Sequence, residues 1–179
     1  WPEEPDGEGF SLTLNAPAAS QTTDHAEPSA WRGSRLPGGS PGTNDGIDFA
    51  SWAVANGLGD AAGLNDDADE DGLNNLLEYA LATNPGVPST EAGPQVDRRQ
   101  FTEGEAAGEY MTFTFRRQVA AEDLRYFVEF SEDLEAWNVF PAVPYSIIRH
   151  GDGTRTEVWR TPFQVNMDSH YFVRLRVEG

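Results

Sequence analysis

Met111-Thr112-Phe113-Thr114-Phe115-Arg116 alternates apolar and polar side chains without a break. Successive side chains of a strand point to opposite faces, so this spacing predicts a strand with one buried face. The pattern recurs downstream. Tyr126, Val128 and Phe130 alternate with Arg125, Phe127 and Glu129, and Tyr171, Val173, Leu175 and Val177 alternate with Phe172, Arg174 and Arg176. Residues 145–149 and 155–160 flank His150-Gly151-Asp152-Gly153-Thr154, which predicts a hairpin turn. Short strands with turns between them predict a mainly β chain ending in an antiparallel β-sandwich over 109–179.

Upstream the pattern changes. Residues 85–108 are rich in Pro, Gly and Glu, show no periodicity and are expected to be a linker. Residues 46–84 are expected to form a helix–loop–helix connector. Asp48 is placed to cap a short helix over 49–56, with Phe49, Trp52 and Ala53 on one face and Gly57 as the stop. A second helix is expected over about 73–82, with Leu73, Leu76, Leu77 and Ala80 as its apolar stripe and Thr83-Asn84-Pro85 ending it. Residues 1–45 hold one strand-like run, Gly9-Phe10-Ser11-Leu12-Thr13-Leu14, whose Phe10, Leu12 and Leu14 share a face. A lone strand cannot bury itself, so it is expected to pair outside residues 1–45. The donor is expected to be chain upstream of Trp1, another copy or a different protein. Exchange between copies implies self-assembly, open-ended unless its geometry closes.

The connector carries the chemistry. Asp67-Ala68-Asp69-Glu70-Asp71-Gly72-Leu73-Asn74-Asn75-Leu76-Leu77-Glu78 sets oxygen-bearing side chains at places one, three, five, nine and twelve, with glycine at six. Ca²⁺ takes six to eight oxygens, and a loop must turn sharply to surround it. Asp67, Asp69 and Asp71 are the expected ligands, with the Leu73 carbonyl, Asn75 directly or through water, and a bidentate Glu78. The alternative is a solvated acidic turn capping the following helix. No second acidic loop accompanies this one, and Asn74 occupies the eighth place, where a paired EF-hand has an aliphatic residue. A structural clip fits better than a sensor.

Composition excludes several classes. Residues 1–97 hold 17 Asp/Glu against Arg32 and Arg35, giving −15; residues 98–179 hold 13 against ten arginines, giving −3. So acidic a chain repels phosphate backbones and anionic lipid, so nucleic acid is not an expected partner. All 12 basic residues are arginine, which removes P-loop and Schiff-base chemistry. Cysteine is absent, so disulfides and thiolate sites are excluded. No apolar run is long enough for membrane insertion. The chain opens on Trp1 and reads as the C-terminal part of a longer exported precursor, secreted or on the cell surface, where calcium is plentiful.

Three stretches resemble known modules. Trp1-Pro2-Glu3-Glu4-Pro5-Asp6-Gly7-Glu8-Gly9-Phe10-Ser11-Leu12, with Trp31 and Gly38-Gly39-Ser40-Pro41-Gly42-Thr43-Asn44, resembles the closing strands of a bacterial lamin-tail domain. The resemblance implies an immunoglobulin-like sandwich, of which residues 1–45 form an incomplete end. Asp69 to Ala80, ending in Thr83-Asn84-Pro85, is similar to calcium loops of the dockerin and thrombospondin type-3 kind. Such loops recur in exported proteins of Verrucomicrobia-like and Planctomycetes-like bacteria. Tyr126-Phe127-Val128-Glu129-Phe130-Ser131-Glu132-Asp133-Leu134-Glu135-Ala136-Trp137 looks like the immunoglobulin-like C-terminal β-module beside that loop. None of these modules implies an activity of its own.

Other chemistry is weaker. His170 follows Asp168 and Ser169, but neighbours in an extended segment diverge and no Gly-x-Ser-x-Gly elbow exists. Paired carboxylates of a glycosidase remain open in so acidic a chain. The tryptophans 31, 52, 137 and 159 are core residues or a sugar platform. Arg125, Arg149, Arg155, Arg174 and Arg176 line a face for an anionic glycan or pair with Glu129 and Glu157. The reading is a non-catalytic, calcium-stabilised structural, adhesion or assembly segment of an exported multidomain bacterial protein. The alternative is an accessory, glycan-binding region of a secreted hydrolase or kinase-like enzyme whose catalytic domain lies upstream.

Overall fold

The alternating segments do form strands. The computed structural model describes residues 5, 7–15, 25–89, 93–102, 107–139, 144–165 and 170–179. In chain order these give β1 (Phe10–Leu14), β2 (Trp31–Pro37), α1 (Phe49–Ala55), α2 (Asn75–Leu81), β3 (Gln95–Phe101) and β4 (Gly108–Gln118). There follow β5 (Arg125–Ser131), β6 (Asn138–Val139), β7 (Ser146–Arg149), β8 (Thr154–Arg160) and β9 (Phe172–Glu178). All pairing between strands is antiparallel, in sheets of order β1-β2, β3-β4-β8-β7 and β6-β5-β9.

Phe113 and Phe115 of β4 and Trp159 of β8 meet Val128 of β5 and Leu81 of α2 in one buried cluster, with Val173 and Leu175 of β9 against it. The four- and three-stranded sheets thus share a core, as alternation in β4, β5 and β9 requires. The β7–β8 turn falls at 150–153, with the His150 N–H bonded to the Thr154 carbonyl.

A second cluster joins Trp52 and Ala53 of α1 to Tyr79 and Ala80 of α2 and to Ala121 and Leu124 after β4. Asp48 caps α1 by accepting the Ser51 N–H at 2.7 Å. Asn74 caps α2 by accepting the Leu77 N–H at 3.0 Å, so α2 starts two residues later than expected. Ala82, at φ +61°, ends it ahead of Pro85.

Three expectations are corrected. The buried residues of α2 are Asn75, Glu78, Tyr79, Ala80 and Leu81, whereas Leu76 and Leu77 are half-buried. Packing surrounds most of this helix, so no single stripe faces inward. Residues 95–101, inside the expected linker, form β3, an edge strand held by backbone pairing with β4. Six of its seven side chains are exposed, so no buried face marks its sequence.

The third correction concerns Phe10–Leu14, which pairs within residues 1–45: Leu12 faces Gly33 and Leu14 faces Trp31 of β2. The hairpin is then fastened to the rest of the chain. Buried Arg32 reaches Asp45 and Glu122 at 2.5 Å each. Arg149 of β7 donates to the Ser34 carbonyl and lies over the Phe10 ring at 4.4 Å. Asp45 stays charged there. Burial raises its pKa, but hydrogen bonds from Arg32, Ser40 and the Arg35 N–H outweigh that and hold it below the usual carboxylate range.

Candidate metal centre

The acidic loop lies between α1 and α2 and is shaped by its own backbone. Gly72 sits at φ +95°, which side chains avoid, so the sixth place needs glycine. The Asp67 carboxylate accepts the Gly72 N–H at 2.9 Å and the Asp71 N–H at 3.2 Å. Asp69 accepts the Asp71 N–H at 3.3 Å, and Asp71 accepts the Leu73 N–H at 2.8 Å. One carboxylate oxygen from each of Asp67, Asp69 and Asp71 lies within 4.8 Å of the others. These three are brought together as the spacing predicts.

Glu78, at the twelfth place, is fully buried on α2 and faces the same charges. Burial and then the Asp69 charge push its pKa up to about 7, against a hydrogen bond from Thr83 and with Asp71 and Asp67 adding to the rise. Asn75 is also fully buried, and its amide N–H groups are donated to the Ala61 and Gly63 carbonyls at 2.7 and 2.8 Å. It thereby ties the helix start to the preceding turn, a role the spacing did not reveal. Leu73 lines an apolar groove beside α2.

Asp69 Oδ2, Asn75 Oδ1 and Glu78 Oε2 are buried and have no hydrogen-bond partner among the described residues. Buried polar atoms are nearly always partnered, so three unpartnered oxygens at one loop need an account. All three are oxygens that accept, and all belong to residues the twelve-place spacing selects. A cation or an ordered water satisfies such a set.

Two contributors lie outside the spacing. The Ser89 N–H and hydroxyl both donate to Asp71, at 2.6 and 3.1 Å, and the Thr83 hydroxyl donates to Glu78 at 3.2 Å. Neither has a sequence signature.

The remaining candidates fall elsewhere. Trp52 and Trp159 are core residues, and Trp137 lies under the Arg174 guanidinium at 3.9 Å. Arg174 and Arg176 pair with Glu129 at 2.7 and 3.0 Å, and Arg155 pairs with Glu157 at 2.5 Å. Asp168 and Ser169 lie outside the described residues. A second acidic hollow, lined by Asp45, Asp48, Glu122 and Asp123, has its carboxylates engaged by Arg32, Ser51, Phe49 and Tyr79. No family model, curated protein or solved structure matches the chain.

The Glu78 shift gives a pH signature for ion-free protein. Its folded pKa is raised, so its contribution is fully present below the unfolded value of 4.5 and is lost as pH rises through about 7. Lowering the pH from 8 to 5 in chelator should therefore raise the melting temperature. Glu78→Gln should remove most of that gain, and a variant that keeps all of it would detach the effect from Glu78.

Proposed function

We propose that the chain is a non-catalytic structural segment in which a calcium ion, held by Asp67, Asp69, Asp71, Asn75, Glu78 and the Leu73 carbonyl, fixes a helix pair against a β-module. The observation that carries this reading is the set of buried, partnerless oxygens on Asp69, Asn75 and Glu78 beside a gathered carboxylate triad. Oxygen-only donors suit a hard cation, and a ligand count above four suits calcium. The two sheets that share the Phe113 cluster suit an immunoglobulin-like sandwich, with the β1–β2 hairpin as a lamin-tail-like end. Such a segment belongs in an exported bacterial protein, where calcium is abundant, and serves assembly or adhesion by holding neighbouring modules in register. No helix among the described residues is long and apolar enough to cross a membrane.

Calorimetric titration of the full chain tests the ion. With a Kd near 0.1 mM, calcium at 1 mM stabilises by roughly 1.4 kcal/mol. Chelation should then lower the melting temperature by a few degrees without unfolding the chain. Asp69→Ala should abolish both the heat and the shift. Wild-type protein that gives neither would sink the reading.

A further inference from the structure

β3 and β9 are edge strands of different sheets and are not paired with each other. Between them lies a groove of about 300 Å³, lined by Leu73, Leu77 and Leu81 on the connector, Val96 on β3, and Val173 and Leu175 on β9. The acidic loop therefore borders the open seam between the sheets. Two hydroxyl residues beyond the loop hold its acids: Ser89 binds the Asp71 carboxylate through both N–H and Oγ, and Thr83 donates to Glu78. Ser89 lies six residues before β3.

We propose that the loop is a clasp on this seam: Ser89, through Asp71, and Leu73, which shares the groove with Val96, are positioning residues that pass its occupancy to β3, and Thr83 positions Glu78 for the ion. This rests on the cation reading above. Without an ion the crowded carboxylates repel, and Ser89 is tied to an acid free to move. With a divalent cation, Asp71 and Glu78 are fixed. Ser89 is then fixed through Asp71, and Leu73 is held at the groove because its backbone belongs to the same cage. The seam opens only when the ion leaves.

Amide hydrogen exchange on the full chain, in excess calcium and in chelator, tests this beside the titration. Calcium should slow exchange at Ser89 and across β3 by about 10-fold or more, beyond any slowing at Phe113, which reports opening of the core. Ser89→Pro removes the N–H donor; it should still bind calcium and should lose the excess protection in β3. Thr83→Val should weaken calcium binding by about 10-fold, with Thr83→Ser restoring it, a pattern that supports the role even if the proline variant fails to fold. If wild-type protein binds calcium while exchange at Ser89 and β3 stays unchanged, the clasp is wrong and the ion site stands. If calcium gives no heat, both fall together.

Discussion

Replacing Glu157 with alanine should lower the unfolding free energy by about 3–5 kcal/mol, read as a lower urea midpoint with an unchanged slope. The expected size follows from where the carboxylate sits. Glu157 is 2 % exposed and faces Arg117 at 3.0 Å and Arg155 at 2.5 Å, with the Trp159 indole N–H donating to it at 3.0 Å. Arg117 and Arg155 are directly opposite across β4 and β8, and the Arg117 guanidinium lies over the Tyr126 ring at 4.0 Å. Removing the acid leaves two mostly buried guanidinium groups side by side with no carboxylate between them. Leaving such charges uncompensated, more than losing attraction, sets the cost.

The same site ties stability to pH. Burial raises the Glu157 pKa, but the charges of Arg117 and Arg155 and the hydrogen bonds from Trp159 and Arg155 outweigh it, so the folded value lies below 4.5. A depressed carboxylate stabilises above its unfolded pKa and stops doing so as pH falls through the folded one. Glu129, held by Arg176 and Arg174 against its own desolvation, shifts the same way. Acid unfolding should therefore begin below pH 4.5, and Glu157→Gln should lose part of that dependence.

Tyr79→Ala should cost about 3–5 kcal/mol, the range for deleting a large buried ring. Tyr79 has no exposed surface and packs against both Phe49 and Trp52, with centroids 5.7 and 5.5 Å away. Its hydroxyl lies 2.6 Å from both the Ile47 carbonyl and the Asp123 carboxylate, so one proton serves two acceptors. Tyr79→Phe keeps the ring and should cost about 1–3 kcal/mol, because it leaves those acceptors short of a donor. Denaturant unfolding of the pair separates packing from the hydrogen bond. Equal costs would show that the ring contributes nothing beyond its hydroxyl.

The sequence made some of this architecture legible and hid the rest for identifiable reasons. β4, β5 and β9 announce themselves because each has one face in the shared core. Asp48 and the 150–153 turn are local signals, which tertiary contacts did not override. β3 is silent because its order comes from backbone bonds to β4, which leave no side-chain pattern. β2 is silent because its buried members include Arg32, Gly33 and Ser34, and Arg32 is buried through Glu122, 90 residues away. In α2, hydrophobic periodicity counts Asn75 and Glu78 as solvent-facing, whereas one is held by backbone carbonyls and the other is buried with a hydrogen bond from Thr83. The triad could be read from spacing. Asn75 as a brace, and the hydroxyls of Thr83 and Ser89, could not, since each depends on how the chain returns to the loop.

Among the described residues, the ion clusters around buried carboxylates are built on arginine: Arg32 with Asp45 and Glu122, Arg117 and Arg155 with Glu157, and Arg174 and Arg176 with Glu129. A guanidinium ordinarily keeps its proton above pH 12, whereas an ammonium begins to lose its own near 10, although burial and the Arg155 charge pull Arg117 below its ordinary value. Alkali therefore reaches these joints later than it would reach lysine pairs. Burial also pushes the Tyr126 phenol up to about 12. The ionic joints of this chain are thus a weakness in acid more than in alkali.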